Sequence, residues 1–287
     1  MDQASETEHD ISGAGFSPFE SVPGALDSGA LIVCDHASNA IPAEYQNLGL
    51  AREALERHIA YDIGAAALAR ALAVDLGAPA ALSTFSRLLI DPNRGADDPT
   101  LVMRYSDGAI VPGNARADSA EVARRLARFW APYRERIAAM VDAMAATGEP
   151  PAVISVHSFT PLWRGITRPW KVGLLWDLDD RISAPLLKGL LAEADLADGD
   201  VGDNEPYDGA LKGDTIDAIA TSRGLANVLI EVRQDLIAEK DGALAWAARF
   251  ARLLQPILAD RRSRAPRRFG SRAIGSALRR GKLSPSS

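Results

Sequence analysis

The chain has 287 residues, of which 47% are apolar and 24% are charged, and its formal net charge is −6. This composition is enough to bury one large core, and we expect one main domain. The single cysteine, Cys34, excludes an internal disulfide. Because no signal peptide is recognisable and no apolar run approaches the ~20 residues that cross a bilayer, we expect a soluble, cytoplasmic protein without membrane contact.

The two ends of the chain differ in charge from its body. Residues 1–24 form an acidic N-terminal extension, and residues 261–287 carry nine Lys or Arg side chains and no acidic ones. The basic segment has little apolar periodicity, and we expect it to be a disordered tail. We expect no nucleic acid as a partner, and the oligomeric state is not predicted. The remaining residues, 25–260, form the single predicted domain.

Short β-branched runs alternate with long Ala/Leu-rich segments along this domain. The pattern predicts an α/β fold, with helices on both faces of a mostly parallel sheet. Dense Gly and Pro predict a loop over residues 91–114 and an irregular stretch before Gly213, and Ser119 is the expected N-cap of its helix. The predicted strands are Leu31–Cys34, Ala80–Ile90, Val153–His157, Lys171–Trp176 and Asn227–Val232. The predicted helices are Arg52–Leu76, Ser119–Ala146, Ser183–Glu193, Thr215–Arg223 and Gly242–Leu254, the first with a mild interruption around residues 62–64.

Two histidines close strand-like runs, His36 after Leu31–Cys34 and His157 at the end of Val153–His157. Parallel strands deliver their last side chains into the crevice beyond the sheet's carboxyl edge. Two imidazoles in one crevice suggest a divalent metal, expected to be zinc, which needs three protein ligands in a catalytic site. A histidine near a strand end can also satisfy backbone groups in the core.

Asp62 is the third predicted metal ligand. It lies within an apolar helical stretch, where an unpaired carboxylate is costly to bury, so we expect a cation or donor beside it. The alternative is a solvent-facing helical aspartate. Asn39 and Asp35 are weaker ligand candidates by position, and Cys34 lies deeper in its strand, where a small buried apolar side chain is expected.

Glu231 emerges from an apolar strand and is the predicted general base. Burial should raise its pKa, or a nearby cation should hold it ionised. The alternative is a structural ion pair with Arg233, which the two-residue period of a strand places on the same face.

Two further segments carry polar groups suited to an anionic substrate. Residues 86–94 end a strand with two arginines, an acid and an amide, a set suited to binding a carboxylate. Residues 202–209 form a turn-rich loop. A salt-bridged loop anchor is the alternative for either arginine. The expected substrate-binding residues are Arg87, Asn93, Arg94, Asn39, Ser158, Asn204, Tyr207 and Arg233.

No dinucleotide, Walker or serine-hydrolase signature is present, which removes the main support for those classes. A thiol mechanism remains open, because Cys34 and His36 share a strand face.

Taken together, the polar islands resemble the N-formylglutamate amidohydrolase family over about residues 25–257. They are residues 34–39, Asp62, residues 86–94, residues 156–158, residues 202–207 and residues 231–235. The family is similar to zinc carboxypeptidases, which implies a three-layer αβα sandwich of the phosphorylase/hydrolase-like type.

The resemblance implies roles for individual residues. His36 and His157 would bind zinc, Asn93 and Arg94 would hold a substrate carboxylate, and Glu231 would activate water. The chain departs from the pattern in two places: Asn39 stands where the carboxypeptidases have a glutamate ligand, and no histidine occurs near residue 217.

The expected function is therefore metal-dependent hydrolysis of the formyl amide of N-formyl-L-glutamate or a related N-acyl amino acid. His36, His157 and Glu231 are the predicted catalytic residues, and the resemblance suggests a role in histidine catabolism. The alternatives are a carboxypeptidase-like acylase or peptidase for another acidic substrate, and a non-catalytic binder of acidic amino acids.

Overall fold

The computed structural model describes residues 16–273 of the chain, which fold around a seven-stranded sheet. The strands are β1 (Phe19–Val22), β2 (Ala30–Cys34), β3 (Ala80–Ser83), β4 (Tyr105–Ser106), β5 (Ala109–Ile110), β6 (Ala152–Phe159), β7 (Leu162–Trp163), β8 (Ile166–Thr167), β9 (Val172–Leu175), β10 (Val201–Asp203) and β11 (Asn227–Arg233). The α-helices are α1 (Arg52–Leu55), α2 (Ala65–Leu76), α3 (Pro112–Ala115), α4 (Ser119–Arg125), α5 (Ala131–Ala145), α6 (Ser183–Leu191), α7 (Lys240–Ala259) and α8 (Arg261–Arg264).

The sheet is mostly parallel, as predicted. Its order is β1-β3-β2-β6-β11-β9-β10. Strands β3, β2, β6 and β11 run parallel, whereas β1 and the pair β9–β10 run in the opposite direction. The carboxyl ends of β2, β6 and β11 therefore lie side by side at one edge of the sheet.

Each face of the sheet packs against its own helices, which confirms an α/β sandwich. Alternation along β2 sends Ile32 to a core shared with α2, α6 and α7, and Val33 to a core shared with α5. Val153 and Leu229 lie on the α5 face. The same two-residue period places His157 and Glu231 on that face, at the carboxyl edge.

The interruption predicted around residues 62–64 of the helix Arg52–Leu76 is confirmed, but it is longer than expected. The segment divides into α1 and α2, and Asp62 lies in the turn between them. Gly64 adopts a φ of 80°, and a Cβ there would lie 2.1 Å from the Ile237 carbonyl oxygen, so the backbone packs too closely for any other residue.

Several predicted boundaries also need correction. The predicted strand Ala80–Ile90 ends at Ser83. The residues that follow form a turn, in which the Ser86 hydroxyl donates to the Ala60 carbonyl. The predicted loop over residues 91–114 contains the β4–β5 hairpin and α3, and β10 lies in the stretch expected to be irregular. Asp118, and not Ser119, caps α4 by accepting from the Glu121 N–H. A π-helical turn (Leu126–Trp130) joins α4 to α5, and another (Ile216–Ala220) replaces most of the predicted helix Thr215–Arg223.

Both terminal segments contribute to the folded body. Strand β1, expected within the N-terminal extension, pairs with β3 and so protects an otherwise open sheet edge. Arg264, expected in a disordered tail, is 6% exposed and donates to Glu149 and to the Leu258 carbonyl. Residues 1–15 and 274–287 lie outside the described residues. Within residues 16–273, no helix is both long and apolar enough to cross a bilayer.

Candidate active site

His36, Asp62 and His157 converge at the carboxyl edge of the sheet. They lie far apart in the sequence, but one potential ligand atom of each lies within 4.8 Å of the others. Asp62 Oδ2 is 3.3 Å from His36 Nδ1 and 2.8 Å from His157 Nδ1. Two imidazoles and one carboxylate, all buried, form a group that could hold a metal ion.

The local fold explains how this group assembles. His36 follows β2, and His157 belongs to the neighbouring β6. The turn between α1 and α2 brings Asp62 to them, because its N–H donates to the His36 carbonyl at 2.9 Å. The Ser158 N–H donates to Asp62 Oδ2 at 3.3 Å and helps to orient the carboxylate.

Two further carboxylates hold the far nitrogens of the histidines. His36 Nε2 lies 2.7 Å from Asp91 Oδ1, and His157 Nε2 lies 3.3 Å from Asp35 Oδ2. A carboxylate accepts only, so it fixes the proton on Nε2 and leaves Nδ1 to face Asp62. Metal-binding histidines characteristically have such partners, and the donor set therefore suits zinc. The sequence indicates Asp35 only as a weak ligand candidate and Asp91 only as one of the polar groups for an anionic substrate, so it does not predict that either carboxylate holds a histidine.

The electrostatics of the metal-free group are those of an ion pair. Burial alone would raise the pKa of Asp62, but the charge of His36 and hydrogen bonds with the histidines lower it. Burial alone would lower the pKa of His157, but hydrogen bonds with Asp35 and Asp62 raise it well above its ordinary value. A metal ion would take the place of the Nδ1 proton, which couples metal binding to proton release.

Glu231 lies next to His157 on the adjacent parallel strand, where the two residues pair in register. It is 5% exposed, and Oε2 has no hydrogen-bond partner among the described residues. Burial raises its pKa to about 7, although the charges of His157 and His36 oppose the rise. The alternative ion pair with Arg233 is not formed, because Arg233 binds Asp235 at 2.8 and 3.1 Å.

A cavity of about 380 Å³ opens onto this group. Besides His36, Asp62, His157 and Glu231, it is lined by five of the predicted substrate-binding residues: Arg87, Asn93, Arg94, Ser158 and Tyr207. Most of the predicted site residues therefore line one cavity.

Arg87 contacts the His–Asp–His group directly. Its Nη1 is 3.2 Å from His36 Nδ1 and 3.5 Å from Asp62 Oδ1, and its Nη2 donates to Asp91 at 2.9 Å. Its Nε is buried and has no hydrogen-bond partner within the described part of the chain. Arg94 is 28% exposed, and its Nε is 3.8 Å from Asp91 Oδ2, which is too far for a hydrogen bond. Its guanidinium can therefore turn to a ligand.

Three predicted substrate-binding residues do not line the cavity. The Asn39 amide donates to the Leu55 carbonyl. Asn204 Oδ1 accepts from the N–H groups of Trp176 and Gly209 and so shapes its own loop. Arg233 binds Asp235, as described above. Each of these side chains is occupied in structural contacts.

The thiol alternative is not supported by the geometry. Cys34 is fully buried and does not line the cavity. Burial, followed by the nearby carboxylates of Asp62 and Asp35, raises its pKa well above the ordinary value, which disfavours the nucleophilic thiolate.

Sequence reasoning missed the segment that begins at Gly213. The Thr215 hydroxyl donates to Asp35 at 2.6 Å, and the Thr215 N–H donates to Asn93 Oδ1 at 3.0 Å. Asp214 lines the cavity, and burial, with the charge of Asp35 among the further causes, raises its pKa to about 7. In the sequence, Asp-Thr before an apolar run indicates a helix N-cap. This interpretation gives no reason to place Asp214 or Thr215 in the site.

Comparisons with known proteins point to one family. A family model described as N-formylglutamate amidohydrolase matches residues 28–238, which is most of the chain. A search of the curated proteins found no match.

Two solved structures share the fold. Gene product Atu2144 from Agrobacterium tumefaciens is 33% identical, with a TM-score of 0.78 over 85% of this chain and 96% of that chain. N-formylglutamate amidohydrolase from Ralstonia eutropha JMP134 is 20% identical, with a TM-score of 0.60 over 86% of this chain and 99% of that chain. The second likeness concerns the fold alone.

Proposed function

Because the chain belongs to the N-formylglutamate amidohydrolase family and is an amide-cleaving hydrolase, we propose that it hydrolyses the formyl amide of N-formyl-L-glutamate or a closely related N-acyl amino acid. The products are formate and the free amino acid. The observation that carries this proposal is the position of Glu231, whose unpartnered Oε2 is buried beside the His36–Asp62–His157 group.

His36, Asp62 and His157 would hold one divalent ion, and the ligand types favour zinc. When bound, zinc would polarise the formyl oxygen and lower the pKa of a nearby water molecule. Asp91 and Asp35 hold the two rings in the orientation that this binding needs. Two histidines and one carboxylate are also the ligand types of the zinc carboxypeptidases, which supports the proposed kinship, although Asp62 comes from a different position than their glutamate.

Glu231 would act as the general base. Its carboxylate takes the proton from water during attack on the formyl carbon and returns it to the leaving amine nitrogen. A pKa of about 7 in the metal-free site lies close to neutral pH, where both transfers are efficient, and a bound cation would favour the ionised form.

The arginines would recognise the negative charges of the substrate and of the transition state. The unpartnered Nε–H of Arg87 can donate to the oxyanion that develops during attack. The Arg94 guanidinium and the Asn93 amide NH₂ would bind the α-carboxylate, because Asn93 Oδ1 is already used by the Thr215 N–H.

The substrate assignment can be tested with a panel of N-acylated amino acids. Purified zinc-loaded protein should release formate from N-formyl-L-glutamate faster than it releases acetate from N-acetyl-L-glutamate. A preference for N-acetyl or peptidyl substrates would instead identify a carboxypeptidase-like acylase or peptidase. The cytoplasmic location and the role in histidine catabolism remain proposals that rest on the family resemblance.

A further inference from the structure

Arg168 is a buried cation behind one wall of the cavity. It follows the β7–β8 hairpin and is only 7% exposed. Its guanidinium carbon lies 4.9 Å from the ring centre of Tyr207, 5.3 Å from that of Trp163 and 5.8 Å from that of Phe159. All three rings line the cavity.

The charge of Arg168 has no acidic counter-ion in this position. Within residues 16–273, no carboxylate oxygen forms an ion pair with it, and its polar contacts are with neutral groups, the Thr160 carbonyl at 3.5 Å and the Tyr207 side chain. Aromatic faces compensate a guanidinium only in part. A cation buried in this way is costly unless an anion approaches it, and the cavity is where an anion can enter.

The cavity therefore carries positive charge on two walls. Arg87 and Arg94 come from the segment after β3, whereas Arg168 and its aromatic rings come from the end of β6, the β7–β8 hairpin and the loop that contains Tyr207. A substrate with one carboxylate could satisfy only the first wall. A second carboxylate, on the side chain of the amino acid, would bring negative charge to the second wall.

We propose that Arg168 is a specificity-determining residue that selects N-acyl amino acids with an acidic side chain. This inference rests on the proposed function and adds the determinant of the substrate class. The guanidinium acts through space from behind Tyr207 and Trp163, where the low dielectric strengthens its attraction for a carboxylate.

The test compares N-formyl-L-glutamate with its neutral analogue N-formyl-L-glutamine. The wild type should have a higher kcat/KM for N-formyl-L-glutamate than for N-formyl-L-glutamine. Arg168→Met should lower this ratio about tenfold or more, because kcat/KM falls for the acidic substrate alone. Arg164→Met is the matched control, because Arg164 lies 5.6 Å from the Trp163 ring centre but is exposed. An unchanged ratio in Arg168→Met would overturn the inference.

A binding measurement keeps the inference testable without turnover. Glutarate has two carboxylates and butyrate has one, so glutarate should raise the Tm of the wild type and of Arg164→Met more than butyrate does. If no N-formyl amino acid is hydrolysed but this difference disappears in Arg168→Met, the proposed function fails, whereas the role of Arg168 in attracting a second carboxylate to the cavity stands. Equal Tm shifts with glutarate and butyrate in the wild type would overturn the inference about Arg168. This outcome does not depend on whether Arg168→Met folds.

Discussion

Glu231 pairs directly with His157 across the parallel strands β11 and β6. Residues that pair in this way point to the same face, so the strand register alone places the candidate base beside a candidate metal ligand. Asp62 reaches the same point from a turn after β2. The site is therefore built mainly on the rigid sheet, which fixes its distances.

Replacing Glu231 by Gln should remove the base and preserve the shape of the side chain. We expect kcat to fall at least about 100-fold, because general base catalysis commonly contributes that much. Zinc content should remain at the wild-type level, since Glu231 is not one of the three ligands. Formate release and metal analysis on the same sample check both points, and an unchanged rate would remove Glu231 from this role.

Asp91→Asn should weaken zinc binding without removing a ligand. Asp91 orients His36 through Nε2, and loss of such a partner commonly costs about 10-fold to 100-fold in metal affinity. Competition with a chromogenic chelator measures this affinity. Asp97→Asn is the control, because Asp97 is exposed in the same loop. Equal affinities for the two variants would contradict the assigned role of Asp91.

Asp214 should make the metal-free protein less stable as the pH rises. Its pKa is raised to about 7 in the folded state from an ordinary value of 3.8, so folding favours the protonated form. The free energy of unfolding should lose roughly 3 kcal/mol from this group between pH 5 and pH 8. In Asp214→Asn, which can still accept from the Asp217 N–H, this loss should be absent. Denaturant titrations with the same pH slope in both proteins would refute the prediction.

Arg134 should act as a positioning residue for two loops of the cavity. It donates to the carbonyls of Pro92, Arg94 and Gly213, and it stacks 4.4 Å from the Trp130 ring centre. Arg134→Leu should raise KM more than it lowers kcat, because Asn93 and Arg94 lose their support.

The control for Arg134 lies on the same helix. Arg136→Leu removes an arginine that contacts Ser21 at the far edge of the sheet, and it should leave KM unchanged. Steady-state kinetics of Arg134→Leu and Arg136→Leu measure both KM values. An unaltered KM in Arg134→Leu would show that the loops hold their positions without it.

Arg272 links the C-terminal segment to the rim of the cavity. It binds Asp177, the Trp176 carbonyl and Asp208, which lines the cavity beside Tyr207. Because the side chain is partly exposed, Arg272→Ala should raise KM at most about fivefold. Arg268→Ala, which removes only a contact with the Ser222 carbonyl, serves as the comparison. No difference in KM between the two would contradict a role for Arg272.

The sequence reveals the parts of the fold and site that local patterns control. Strands β2, β6 and β11 are continuous apolar runs that end in polar residues, so both the strands and the convergence of His36, His157 and Glu231 could be predicted. Strand β1 could not, because its place depends on the free edge of β3.

The remaining errors arise from contacts between distant segments. Asn39 follows β2 closely enough in the sequence to be predicted as a substrate-binding residue, but in the fold its amide donates to the Leu55 carbonyl. Asp91 acts through His36, and no spacing rule links these residues. The sequence indicates a mild interruption of the helix around Asp62, but the close packing of Gly64 against Ile237, which accompanies a full break, is visible only in the folded chain.

Formate release from N-formyl-L-glutamate, measured before and after chelation of the purified protein, decides whether hydrolysis depends on a metal ion held by His36, Asp62 and His157. We expect the untreated protein to be active and its activity to disappear when the metal is removed. One equivalent of zinc should restore activity in the wild type but not in Asp62→Ala. Full activity in metal-free protein, or restoration of Asp62→Ala by stoichiometric zinc, would contradict this expectation.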